Sequence, residues 1–180
     1  MPGSAGPCGA CADDDPIDAT LTLGDYAPPF DRLVLGLKSG TRLPAAGWIA
    51  TQLAAPMRAA GARPDLLLPI PLSPDRLAER GFNQAWEIVR PLARRLGIGA
   101  SATVLARCRD TVSQRGLDQT ERQANLRDAF TIHGGMPVTG LHIGLVDDVM
   151  TTGATLREAA RVLKAHGAAR VTALAALRTP

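Results

Sequence analysis

Residues 143–156, IGLVDDVMTTGATL, constrain the fold of this chain more than any other stretch. Ile143-Gly144-Leu145-Val146 is almost wholly apolar, as a strand buried on both faces of a parallel sheet must be. It runs straight into Asp147 and Asp148, then a turn of small hydroxylated residues. A helix is predicted from about Thr155 to His166, burying Leu156, Ala160 and Leu163 and exposing Arg157, Glu158, Arg161 and Lys164. Gly167 closes it, and Val171 to Leu177 forms the next strand. Strand, helix and strand in this order make a right-handed βαβ unit. Asp65-Leu66-Leu67-Leu68-Pro69-Ile70 reads as another buried strand, so the expected class is α/β with a parallel sheet flanked by helices.

Each part of the 145–156 segment has a chemical use. Free N–H groups and the positive end of a helix dipole attract a phosphate, and Thr151, Thr152 and Thr155 add hydroxyl donors. Gly153 lets the backbone approach an anion closely or take a positive φ, and Ala154 adds no bulk. Asp147 and Asp148 repel a phosphate but suit sugar hydroxyls or a hydrated magnesium ion. Phosphate and hydroxyl recognition together describe a sugar phosphate, bound where open parallel sheets usually bind ligands.

The flanking chain is less specific. Thr20 to Leu23 alternates as an edge strand would. Apolar residues at 30, 33, 34 and 37 predict one helix, and Pro44 to Ala60 a second with Trp48, Ile49, Leu53 and Met57 on one face. Pro69, Pro71 and Pro74 predict a stiff loop. A helix from about Asn83 to Leu96 follows, with Ala85, Ile88, Val89, Leu92 and Leu96 buried and Pro91 placed to kink it. Val104-Leu105 marks a strand, and residues 118–127 a polar helix.

The chain is 180 residues long, about one domain, and no apolar run approaches the roughly 20 residues of a membrane-spanning helix. Without a basic, apolar leader and with only Cys8, Cys11 and Cys108, a reducing cytoplasm is the expected setting. Residues 31–180 hold all twenty bases against twelve acids, a net of +8 that permits a phosphate-rich partner. Cys108, between two arginines, reads as a packing residue, and no histidine is assigned a catalytic role. Phe82 and Trp86 read as core, although their rings would suit base stacking.

The 145–156 string resembles the phosphoribosyl pyrophosphate (PRPP) motif of type I phosphoribosyltransferases. Pro69-Ile-Pro-Leu72, Arg76 and Arg80-Gly-Phe-Asn-Gln84 resemble the PVPL…RxxxRGFNQA signature of the ComF family. Asp110-Thr111, Gln114, Gly116-Leu117, Arg122, Asn125 and Phe130 resemble that family's central segment. Tyr26 and Leu33-Val-Leu-Gly-Leu-Lys38 resemble its amino-terminal YxxPxxxLIxxxK stretch. The chain is thus identified as a member of the ComF family, phosphoribosyltransferase-like proteins linked to natural competence and DNA uptake.

That resemblance implies a type I phosphoribosyltransferase fold with a small hood formed largely by the amino-terminal segment. It divides the chain into a cysteine-rich remnant, 1–28, and a phosphoribosyltransferase-like domain, 29–180. It further implies that Asp147 and Asp148 bind the ribose hydroxyls and act in catalysis, and that Thr151, Thr152, Gly153, Ala154 and Thr155 hold the 5′-phosphate. Leu72, Ser73, Arg76 and Arg80 would face the pyrophosphate. Gln114, Arg115 and Arg122 would belong to a mobile loop that closes to exclude water. The implied chemistry is displacement of magnesium pyrophosphate from C1 of the ribose by an unassigned acceptor. Thr151 stands where purine-salvage relatives carry a proton-handling aspartate, which disfavours 6-oxopurine acceptors. A non-catalytic PRPP or nucleotide binder is the second reading. A factor that binds single-stranded DNA and keeps only a vestigial pocket is the third, and the family link admits single-stranded DNA or a competence helicase as partner. Cys8 and Cys11 resemble the last two ligands of the family's zinc module, but two ligands argue against a stable zinc site within one chain.

Overall fold

The computed structural model describes residues 15–108, 129–133 and 138–179. The main sheet contains β1 (Ala19–Asp25), β2 (Leu66–Pro69), β3 (Gly99–Ala100), β6 (His142–Met150) and β7 (Arg170–Arg178). Their order is β1-β7-β6-β2-β3, and every pairing is parallel. A separate antiparallel ribbon pairs β4 (Leu105–Arg107) with β5 (Phe130–Ile132). The helices are α1 (Asp31–Lys38), α2 (Pro44–Ala59), α3 (Pro74–Arg80), α4 (Gln84–Leu96) and α5 (Ala154–Ala165).

The apolar runs are explained by helices on both faces of the sheet. Side chains alternate along a strand, so Leu66 and Leu68 of β2 face one cluster and Leu67 the other. Leu156, Ala160 and Leu163 of α5 pack on the first side with Ile143, Leu145, Val171 and Ala173. Ile49, Leu53 and Met57 of α2 and Ile88, Val89 and Leu92 of α4 pack on the second with Val146 and Leu174. Burying a leucine or isoleucine contributes roughly 1.5–3 kcal/mol, so these two layers dominate the stability.

Several expectations change. Trp48 is not part of the buried face of α2: it is exposed and its ring stacks on Phe30, while Ile49, Leu53 and Met57 are buried. Leu96 is half-buried at the end of α4, which continues through Pro91. Glu158 is buried rather than exposed because Arg161 donates to both its carboxylate oxygens, 2.9 and 2.7 Å. The stiff loop predicted around Pro74 holds the helix α3. Pro74 is at its first turn, where no N–H is required, and Ser73 caps it. Cys108 is an exposed free thiol, not a packing residue.

The boundary expected at residue 28 falls between β1 and α1, and β1 is already the edge strand of the main sheet. From there the chain enters α1, whose Val34 and Leu37 pack in the same cluster as α2 and α4. The polar helix predicted at 118–127 lies outside the described residues. No helix among the described residues is long and apolar enough to cross a membrane.

Candidate active site at the carboxyl edge of the sheet

The chain leaves β2 through α3 and α4 toward β3 on one side, and leaves β6 through α5 toward β7 on the other. Helices α4 and α5 pack on opposite faces, so the seam between β2 and β6 is a topological switch point, where a crevice forms at the carboxyl ends. Pro69 pairs with Val146 across this seam, and the Ile70 amide donates to the Val146 carbonyl at 2.8 Å. The loop after β2 and the acids of β6 therefore start side by side.

The acids lie within the strand rather than beyond its end. Asp147 pairs with Ala175, and β6 continues to Met150. Asp147 Oδ1 accepts the Asp148 amide at 2.8 Å, and Asp148 Oδ1 accepts the Val149 amide at 2.9 Å. Asp148 is only 4 % exposed, and its Oδ2 is buried without a hydrogen bond. Among the described residues its ion-pair partner is the ammonium of Lys38, the last residue of α1, 3.3 Å from that oxygen. Burial pushes the Asp147 carboxyl well above the ordinary carboxylate range, and the charge of Asp148 adds to the rise; Lys38 opposes it. Asp147 itself is half-buried.

The turn after β6 exposes Thr151 and Thr152 and buries Gly153, which takes φ +76° at the start of α5. No side chain caps α5 by hydrogen bonding at its cap residue, although Thr152 Oγ1 accepts the Ala154 amide at 3.3 Å. Thr155 is half-buried in the first turn. Arg157 folds back over the turn, donating to the Thr152 carbonyl at 2.7 Å and to Asp15 Oδ2 at 3.0 Å. Thr152, Thr155 and Arg157 thus gather around the first turn of α5.

Across the seam, Leu72 is half-buried and Ser73 is buried as the cap of α3. Asn83 ties this loop to α4: its side chain donates to the Ile70 carbonyl at 3.0 Å and accepts the Ala85 amide at 2.9 Å. Arg76 is exposed on α3, and half-buried Arg80 donates to Gln84 Oε1. Sequence reasoning placed both arginines in this region but left Lys38 without a role. Its one signal was its place in the amino-terminal family stretch.

Gln114, Arg115, Arg122, Cys8 and Cys11 lie outside the described residues. His142 meets Thr172 Oγ1 at 2.8 Å and His166 meets the Val162 carbonyl at 2.8 Å, both in structural roles. Trp86 packs at the edge of the core, and the Phe82 ring lies beside Gly40. An apolar cleft of about 230 Å³ opens between α1, α2 and the ends of β1 and β7, with Phe30 and Trp48 among its walls and Gln52 as a polar group.

A metal here would need ligands beyond the acid pair. Among the described residues no group of three His, Cys, Asp or Glu could hold a metal ion. The oxygen donors of the acid pair do fit a magnesium ion that arrives with a diphosphate and keeps water and phosphate in its shell.

The phosphoribosyl transferase domain family matches residues 84–180. The chain is 37% identical to the DNA utilization protein YhgH of Salmonella typhimurium, over 96% of this chain and 78% of that protein. It is 31% identical to Competence protein F of Haemophilus influenzae, over 89% and 73%. It is 38% identical to Competence protein ComFC of Bacillus subtilis, over 63% and 45%. Shared by relatives that match nearly the whole chain, and joined to a parallel sheet with the domain's motif at its carboxyl edge, these likenesses place the chain in the ComF family, with a type I phosphoribosyltransferase fold.

Proposed function

We propose that the chain binds PRPP with magnesium across the β2–β6 seam and transfers its phosphoribosyl group to an acceptor, releasing pyrophosphate. The observation that carries this reading is the juxtaposition, on adjacent strand ends, of an acid pair with Asp148 buried, the start of α5, and the connection from β2 into the arginine-bearing helix α3. Asp147 and Asp148 accept hydrogen bonds from the ribose 2′- and 3′-hydroxyls. The turn Thr151, Thr152, Gly153, Ala154 and Thr155 holds the 5′-phosphate through backbone amides and hydroxyls. Arg76 and Arg80, with Leu72 and Ser73, face the diphosphate, whose oxygens suit the paired donors of a guanidinium. Bound with the diphosphate, magnesium supplies charge neutralisation to the leaving group.

The C1–O bond breaks with its electron pair leaving on the diphosphate, and the acceptor forms the new bond to C1. Cationic character builds on the ring, as in glycoside cleavage, and the nearby charge of Asp148 offsets it. Gln114, Arg115 and Arg122 are proposed to close over this ring and exclude water. The names of the relatives, DNA utilization protein and competence protein, support a role in DNA handling. The test is PRPP-dependent pyrophosphate release with a panel of bases and amines. Release that is lost in the double variant Asp147→Asn/Asp148→Asn supports transfer. PRPP binding without release by any acceptor identifies a binding protein instead.

A further inference from the structure

We infer that Lys38 is a ligand-contacting residue, which hands its ammonium from Asp148 to the diphosphate as PRPP arrives; this rests on the PRPP reading above. Three observations converge. The Lys38 Nζ lies 3.3 Å from Asp148 Oδ2, joining the end of α1 to the middle of β6, 110 positions away in sequence. That oxygen is buried and receives no hydrogen bond, so the ammonium balances its charge without satisfying its lone pairs. The lysine side chain, by contrast, is one-third exposed, with the mobile half of the pair on the solvent side.

The chemistry of the two partners then decides the exchange. A buried carboxylate oxygen accepts a sugar hydroxyl well. An ammonium on a flexible four-carbon stem, with three rotatable donors, follows charge rather than geometry. The charge of Asp148 repels an incoming polyanion, and the Lys38 ammonium 3.3 Å away offsets that repulsion. A lysine that stayed on Asp148 would leave the approaching diphosphate without this counter-charge. One that moved lets a ribose hydroxyl take the freed oxygen while the ammonium meets the phosphate oxygens. Its position at the carboxyl end of α1, where the helix dipole favours a cation, holds the stem over the site in both arrangements.

The experiment compares PRPP with ribose 5-phosphate, which keeps the hydroxyls and the 5′-phosphate but lacks the diphosphate. Calorimetry in millimolar magnesium is run on the full chain and on Lys38→Met and Lys38→Arg, each checked for folding by circular dichroism. The expected result is a Kd for PRPP raised at least about tenfold in Lys38→Met, the loss of one charge-assisted contact. Ribose 5-phosphate affinity changes less than about threefold, and Lys38→Arg recovers most of the PRPP affinity. Equal weakening of both ligands in Lys38→Met, or no weakening of either, overturns the assignment and leaves Lys38 a structural counter-ion. If Lys38→Met fails to fold, the PRPP-to-ribose 5-phosphate affinity ratio in Lys38→Arg decides: retention supports the assignment, and a ratio collapsed to one overturns it. A wild-type chain that binds no PRPP overturns both this assignment and the reading beneath it.

Discussion

The Ile70 amide donates to the Val146 carbonyl at 2.8 Å, which ties the first residue beyond β2 to the residue immediately before the acid pair. This bond starts the connection into α3, which carries Arg76 and Arg80 behind its cap Ser73, next to the strand that bears Asp147 and Asp148. The site is thus a consequence of strand register: one step of slip would flip the leucines of β2 to the wrong faces.

Asn83 anchors that loop from the other end. Asn83→Ala loses the α4 cap and the bond to the Ile70 carbonyl, for an expected cost of about 1–3 kcal/mol. Urea unfolding measures that loss, and PRPP affinity should fall with it because the Ile70–Ser73 segment is no longer held.

Two glycines separate fold from site. A Cβ at Gly144 would sit 2.5 Å from Leu67 Cδ2 and 3.1 Å from Pro64 Cγ, so Gly144→Ala should destabilise by about 1–3 kcal/mol through overpacking. Gly153→Ala meets the flexible ends of Arg157, at 3.1 Å, and Met150, at 3.6 Å, but must hold φ +76°. Its stability cost is about 1–2 kcal/mol, with a larger loss of phosphate affinity than Gly144→Ala shows. Paired thermal melts and phosphate titrations check the contrast.

Arg76 is exposed and Arg80 is engaged with Gln84. Arg76→Ala should leave unfolding free energy within about 0.5 kcal/mol of wild type while weakening PRPP binding about tenfold. Arg80→Ala should lower both. An Arg76→Ala chain with unchanged affinity removes that arginine from the site.

Asp147 makes stability depend on pH in a definite direction. At a pH below the unfolded carboxyl value of about 3.9, both states carry the proton and the contribution is complete. As pH rises, the unfolded chain ionises first, while burial and Asp148 keep Asp147 protonated in the folded chain. Stability therefore falls with rising pH until the folded group ionises too. Urea unfolding between pH 4 and 7, without PRPP, should show Asp147→Asn gaining on wild type as pH increases.

The layers of this fold were legible in the chain because burial on two faces leaves a plain trace. Leu66 to Leu68 and Ile143 to Val146 carry almost no polar residue, and Ile88, Val89 and Leu92 repeat at helical spacing. The acid pair, the glycine turn and the arginine loop were legible as local strings. Helix α3 was not, since three prolines suggest loop until Ser73 is seen to cap and Pro74 to start a turn. Glu158 looked solvent-exposed because its bidentate partner is a side-chain choice that no periodicity records. Lys38 escaped for a related reason: an ion pair spanning 110 positions depends on where α1 packs, and nothing near either residue announces it.

The most direct measurement is isothermal calorimetry of PRPP against the full chain in millimolar magnesium, repeated with pyrophosphate present. The account predicts a saturable, one-to-one heat that pyrophosphate competes away and that the Asp147→Asn/Asp148→Asn variant, still folded, binds far more weakly. A folded wild-type chain giving no heat with PRPP, or a heat indifferent to pyrophosphate and to both acids, would contradict it.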